Sequence, residues 1–187
     1  FRSAQIRGHF DNLSAFGARA VQSIVEANLM AGWAPKSIRT DLATALNVPS
    51  WQALRIARNE SVGAYRASGM ANLRANREHL TGWVWLAQLG PRTCASCLAM
   101  HGTRHSIDED FASHVQCRCS VAGIVIGDER SYPSGEGWLR SQPADVRQAV
   151  LGKRGSMMFD QGRSLDDWVH EEPSAVWGLQ RVARTPV

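Results

Sequence analysis

Lysine is nearly absent from this chain, with 2 Lys against 19 Arg in 187 residues. The formal charge of +4 is therefore carried by guanidinium groups spread along the sequence, and no basic tail is present. Guanidinium forms bidentate contacts with carboxylates and phosphates, so such a surface suits DNA or an acidic protein, although Arg-for-Lys usage also follows a GC-rich genome. Long apolar runs are lacking, and none approaches the roughly 18 residues that a membrane span requires. Internal repeats and low-complexity blocks are missing too. The amino terminus, Phe1-Arg2-Ser3-Ala4-Gln5, has neither an initiator Met nor the basic-then-apolar pattern of a signal peptide. It reads as the ordered part of a longer chain. Cysteine is absent outside positions 94–119, which points away from a disulfide-stapled secreted fold. What remains, 44% hydrophobic and 20% charged residues, is ordinary for a soluble globular protein. The length is enough to bury about two-thirds of the unfolded surface.

The first 78 residues read as helical. From Ser3 to Met30, apolar residues recur at spacings of three and four (Ile6, Phe10, Leu13, Phe16, Ala20, Ile24, Ala27), which predicts one amphipathic helix. Gly32-Trp33-Ala34-Pro35 interrupts it, Lys36 to Leu46 offers a second helix, and Asn47-Val48-Pro49 a turn. Ser50 suits the N-cap of a third helix over 51–75, with Leu54, Ala57, Val62, Tyr65 and Met70 as its buried stripe. After Leu80 the texture changes. Gly82-Trp83-Val84-Trp85-Leu86-Ala87 and Val115 to Ile126 predict strands. Past Gly127 come a Gly- and Pro-bearing linker, a helix over 143–151, a short element over 164–169, and a weakly periodic tail from Glu171 expected to lie extended over a neighbour. The reading is α+β: a helical region over 1–78, a small sheet around a Cys/His loop over 79–130, and a helical closing segment with its tail over 131–187.

The chemistry concentrates in that loop. Cys94-Ala95-Ser96-Cys97 precedes Cys117-Arg118-Cys119, with His101 and His114 nearby. Two Cys three apart on a tight turn face one cation, and two Cys two apart on a strand share a face. Cys94, Cys97, Cys117 and Cys119 are the expected ligands of a tetrahedral zinc ion, with His101 or His114 as alternatives to one thiolate. Reduced thiols or one disulfide are the rival reading. A closed structural zinc site leaves no position for water and argues against catalysis.

Two other functions compete. A zinc-stabilised DNA-binding module is suggested by threading 37–65 as a helix-turn-helix, with Arg55 and Arg58 on its recognition helix. Against it stand Pro49, the long run after Trp51 and the lack of a turn glycine. In the plainer reading, Arg58 and Glu60 tie the helix to the loop region by ion pairs. A metal-dependent nuclease is suggested by His101, His105, His114, Asp108, Glu109 and Asp110. A zinc deaminase is not, because it needs a His-x-Glu upstream of its Cys-x-x-Cys and here the Cys-x-x-Cys comes first. Asp108 to Asp110 reads as a solvated turn capping an element at Phe111.

Three stretches together resemble the Mu F-like head morphogenesis family of tailed phages. Ile56-Ala57-Arg58-Asn59-Glu60 is similar to the family's Ala-Arg-Thr-Glu helix, followed by Ala64 and Gly82-Trp83-Val84-Trp85. Thr93-Cys94-x-x-Cys97-x-x-x-His101-Gly102, through Phe111 to His114-x-x-Cys117-Arg118-Cys119, is similar to the family's Cys-x-x-Cys and His-Pro-x-Cys-Arg-Cys signatures. Gly137-Trp138-Leu139 through Leu151-Gly152 and Ser164-Leu165-Asp166-Asp167 is similar to its closing segment. The chain departs from the pattern at Asn59, at Val115, and at Gly90-Pro91-Arg92. The resemblance implies a minor capsid protein of the virion, close to the portal vertex and in the host cytoplasm during assembly. Its implied partners are the portal protein and other capsid proteins, with packaged DNA as a non-specific contact, in several copies per virion. It brings no catalytic residues, and nothing after Leu151 resembles a fused toxin domain. Of the seven tryptophans, most are expected in cores, with one or two of the carboxy-terminal ones at a partner.

Overall fold

A computed structural model of the chain describes residues 15–32, 36–174 and 178–186. It divides into two compact units, residues 1–68 with 173–178, and residues 69–172 with 179–187. The α+β reading holds: helices lead, with small antiparallel sheets and a Cys/His cluster after them. Among the described residues no helix is long and apolar enough to cross a membrane.

The first unit is built on α1 (Ala15–Met30), α2 (Arg39–Leu46) and α3 (Ser50–Ala75), whose turns from Gly69 onward belong to the second unit. Val21, Val25, Ile38, Leu42, Ala53, Ile56 and Ala57 form its core. The part of the first predicted helix over 3–14 lies outside the described residues, as do Trp33 and Trp177. In α1 the inward row is Val21, Val25 and Asn28, one position beyond the expected Ala20, Ile24 and Ala27. Asn47 ends α2 with a left-handed backbone (φ 51°) and donates its N–H to the Ala43 and Thr44 carbonyls. Asn tolerates this conformation through its short polar side chain, so the turn needs no glycine. The Pro49 carbonyl accepts from the N–H groups of Gln52 and Ala53. Ser50 is thus the first helical residue and not the cap.

The buried face of α3 differs from expectation. Ala53, Ile56, Ala57, Glu60 and Ser61 point inward, Leu54 and Val62 are half-buried, and Tyr65 is exposed. The small side chains of Ala53 and Ala57 pack in one cluster with α1 and α2 residues, so the helix turns this face inward. Trp51 is exposed as well, whereas Trp168 in the carboxy-terminal region is buried and Trp177 lies outside the described residues. Arg58 is exposed with no ion pair among the described residues, and it does not serve as the expected anchor.

The second unit contains a three-stranded antiparallel sheet of order β2-β1-β3: β1 (Leu80–Leu86), β2 (Arg104–His105) and β3 (Ser120–Val125). β1 is the central strand, with Trp83 opposite His105 on one side and Gly123 on the other. Trp83, Val84 and Trp85 are all but fully buried, as both faces of a covered strand must be. The second predicted strand is shorter than its apolar run. Gln116 adopts φ 62°, so Cys117-Arg118-Cys119 lies in the approach to β3 and not on it.

The second unit also holds α4 (Ala95–Met100), α5 (Gly135–Arg140) and α6 (Ala144–Asp160), the last broken at Gly152 (φ 71°). The helix expected to end at Leu151 is the first half of α6. A 3-10 turn over Leu165–Trp168 closes a second core with Leu98, Leu139, Leu151 and Phe159. The tail is not an extended arm. β4 (Val169–Ser174) and β5 (Gly178–Ala183) form a two-stranded sheet, held by Arg181 on Glu171 at 3.0 Å and by Arg184 on Glu172. Glu171 and Glu172 are adjacent in β4, so its sequence shows no apolar alternation.

Glu136 in the first turn of α5 ties this core to the closing segment. Its carboxylate accepts from Ser164 Oγ (2.9 Å), the Leu165 N–H (2.8 Å) and Arg140 (2.7 Å). Burial works against the charged form, but the Leu165, Arg140 and Ser164 contacts outweigh it and hold the carboxyl below its usual range. A group with a depressed folded pKa contributes stability above the ordinary carboxylate pKa and loses it as pH falls through the folded value. Glu136→Gln is expected to cost about 1–2 kcal/mol at neutral pH. It should also flatten the acid limb of the stability profile, and urea melts at neutral and acid pH measure both effects.

Candidate metal centre

The site is assembled where β1 ends. Gly102 donates its N–H to the Trp85 carbonyl and Trp85 donates to the Thr103 carbonyl, which clamps the loop after α4 onto the strand. Thr93 Oγ1 donates to the Gln88 carbonyl. Cys94 then caps α4, its Sγ accepting from the Cys97 N–H at 3.4 Å. The cap places both sulfurs of the Cys-x-x-Cys on one side of the first helical turn. Gln116 turns the returning chain so that Cys117 and Cys119 face the same space, packed with Trp83, Trp85 and Met70. The sharing of a face that a strand would have produced is produced here by a left-handed turn.

The donors form two triads that share Cys97. Cys94, Cys97 and His114 have their ligand atoms within 4.8 Å of one another, and so do Cys97, Cys117 and Cys119. His114 Nε2 lies 3.2 Å from Cys94 Sγ and 3.1 Å from Cys97 Sγ, and Cys97 Sγ lies 3.7 Å from Cys117 Sγ. A tetrahedral zinc ion with Zn–S of about 2.3 Å holds its sulfurs about 3.75 Å apart, so the Cys97–Cys117 separation fits. His114 Nδ1 donates to the Val115 carbonyl at 2.8 Å. A carbonyl can only accept, so Nδ1 carries a proton and Nε2 is the ring atom turned to the sulfurs, free to bind a metal once its own proton is released. This is the usual second contact of a metal-binding histidine.

Contact with Cys97 pulls the Cys94 thiol down to about 5 against the opposing effect of burial, with His114 assisting. Burial works against the charged form of His114, but its contact and charge interaction with Cys94 overcome this and raise the group to about 9. The Cys97 thiol is pushed up by Cys117, Cys119, Cys94 and burial in turn, and Cys119 is pushed up to about 12, chiefly by Cys117. Without a metal the cluster thus supports one thiolate beside one imidazolium. A divalent ion would replace the remaining protons. The cluster can bind a metal on grounds of donor type, separation and charge. A recess of about 70 Å³ opens beside the sulfurs between Gln88, Arg92, Gln116 and Arg118, and the Arg118 guanidinium donates to the Arg92 carbonyl at 3.0 Å.

His101 is placed apart from the cluster. Its Nδ1 accepts from the Ala87 N–H at 3.0 Å, and burial holds its proton affinity below the usual histidine range. The acidic run Asp108 to Asp110 is held by arginines. Arg77 bonds Asp108 at 3.0 Å and Arg74 bonds Asp110 at 2.7 Å, pinning this loop to the end of α3 and the turn after it. Thr103, His105 and Glu109 form a hydroxyl–imidazole–carboxylate chain that sequence reasoning missed, with contacts of 2.7 and 2.8 Å. Its order resembles a nucleophilic triad. Yet the Thr103 hydroxyl donates to the Met100 carbonyl and the His105 ring stacks on Trp83 at 4.1 Å, so the chain stitches the loop to the sheet.

A family model described as Phage Mu protein F like protein matches residues 19–122, which include α1 from Arg19 onward, the Ala-Arg-Asn-Glu segment of α3, both Cys pairs and His114. The third stretch of the resemblance, beyond Gly137, lies outside the matched residues. No curated protein and no solved structure matches the chain. With more than half of its length matched, and with the Cys/His signature folded into one cluster, the chain belongs to the phage Mu protein F-like family.

Proposed function

We propose that this protein is a minor head protein of a tailed phage that acts at the portal vertex during head morphogenesis, and that a structural zinc ion staples its second unit. The observation that carries the head assignment is the family match over residues 19–122. The zinc proposal rests on the pose of His114, with one ring nitrogen on a backbone carbonyl and the other between two thiol sulfurs. Cys94, Cys97 and Cys117 are three of its ligands, and His114 takes the fourth position in preference to Cys119. Zinc in a closed site of this kind supplies folding energy and no chemistry. No catalytic step is assigned to the chain. Packaging and ejection of DNA are downstream of the same location at the portal.

The location is tested by fractionating virions of a phage that encodes the chain and quantifying it by mass spectrometry. It should copurify with heads and with the portal, at a few copies per particle. Confinement to tails, or absence from virions, would overturn the proposal. The ligand set is tested separately by metal content. His114→Ala is expected to weaken zinc binding at least tenfold, whereas Cys119→Ser should retain one zinc per chain. The reverse result would give the site to four thiolates.

A further inference from the structure

We propose that the solvent face of α3 between Trp51 and Tyr65 is a docking seam for an acidic helix of another protein. Trp51, Arg55, Arg58, Val62 and Tyr65 follow one another at steps of four, three, four and three. This averages 3.5 residues, the period that keeps a row of side chains facing a second helix along its length. The row runs for about 21 Å at 1.5 Å per residue, two heptads of helix. It lies away from the face that packs into the core through Ala53, Ile56 and Ala57. Trp51 is 65% exposed and Tyr65 72% exposed, an unusual outlay of aromatic surface on one helix. Trp, Tyr and Arg are also the residue types that carry most binding energy at protein interfaces.

Charge selects the occupant. Over the described part of 15–68 there are six basic side chains and three acidic ones, and one of the acids, Glu60, is buried on the opposite face. Arg55 and Arg58 stand exposed at the middle of the seam with no ion pair among the described residues. The flanking Gln52, Asn59 and Arg66 add no carboxylate. A second copy of α3 does not satisfy this face, because parallel or antiparallel pairing through it sets Arg58 against Arg58. Duplex DNA would engage the two guanidiniums and leave Trp51, Val62 and Tyr65 against its phosphates. A helix with apolar residues opposite those three and carboxylates opposite the two arginines satisfies all five positions. The seam uses none of the metal-cluster residues, so it stands whether or not zinc is bound.

The test measures binding of the full chain to three fluorescent probes: an amphipathic helical peptide of about 21 residues with Leu along its seam and Glu beside it, the same peptide with Lys for Glu, and a duplex of roughly 20 base pairs. The acidic peptide should bind and the Lys peptide should not. The double variant R55E/R58E should weaken the acidic peptide more than tenfold and gain affinity for the Lys peptide. Trp51→Ala should weaken it too. All these side chains are exposed, so unchanged circular dichroism and melting temperature will show that the variants fold. Failure of the acidic peptide to bind the wild-type chain overturns the proposal. So does tighter, salt-sensitive binding of the duplex that R55E/R58E abolishes, which assigns the face to nucleic acid, and so does self-association that Trp51→Ala removes.

Discussion

Cys97→Ser is expected to lose all bound metal and to melt far below the wild-type chain. Cys97 is the one donor common to both triads, so the expectation holds whether His114 or Cys119 completes the site. Apparent binding energies of structural zinc in small domains are about 10–16 kcal/mol, comparable to or larger than the whole stability of a domain. At about 4–8 °C per kcal/mol for a small domain, even partial loss moves the transition by tens of degrees. Treating the wild-type chain with a strong chelator should reproduce the effect, and returning zinc should reverse it in the wild type alone. The direct measurement is metal content by mass spectrometry beside a thermal melt. A wild-type chain that holds no metal and melts unchanged with chelator would reduce the cluster to reduced thiols.

Trp168→Ala is expected to cost about 3–5 kcal/mol, the range for emptying a buried aromatic site. Trp168 is 2% exposed, meets Phe159 edge-on at 6.4 Å between ring centroids, and lies against Gly155, where an added Cβ would come within 3.4 Å of its Nε1. That nitrogen has no hydrogen-bond partner among the described residues. A buried N–H without an acceptor costs roughly 1–3 kcal/mol in desolvation. Trp168→Phe therefore removes an unsatisfied donor along with part of the ring, and it should cost much less than the alanine. Denaturant melts of the two variants decide the point: equal losses would mean that the indole N–H is solvated in the folded protein.

Periodicity and composition located most elements because helices and strands advertise their buried faces at fixed spacing. The three amino-terminal helices, the Trp83-Val84-Trp85 strand and the helix up to Leu151 were legible for that reason. The rotation of α3 was not. Tyr65 and Ala53 are both compatible with a helix, and which one turns inward depends on which face α1 and α2 approach, a matter of shape that no spacing records. The tail was missed because Glu171 and Glu172 in β4 and Arg181 in β5 break the apolar alternation that would have revealed the strands.

The sequence by itself determined that Cys94, Cys97, Cys117 and Cys119 cluster, because paired thiols at close spacing have few other uses in a chain without further cysteine. It also determined the family, since the order of several short motifs carries information that no single one does. Only the tertiary structure showed which of the two histidines lies beside the cysteines. His101 is bound to the Ala87 N–H, whereas His114 is set between two sulfurs by the carbonyl of its neighbour Val115. Both are histidines near cysteines in the sequence; what separates them is the direction of a ring, and that is fixed by where backbone groups meet in space.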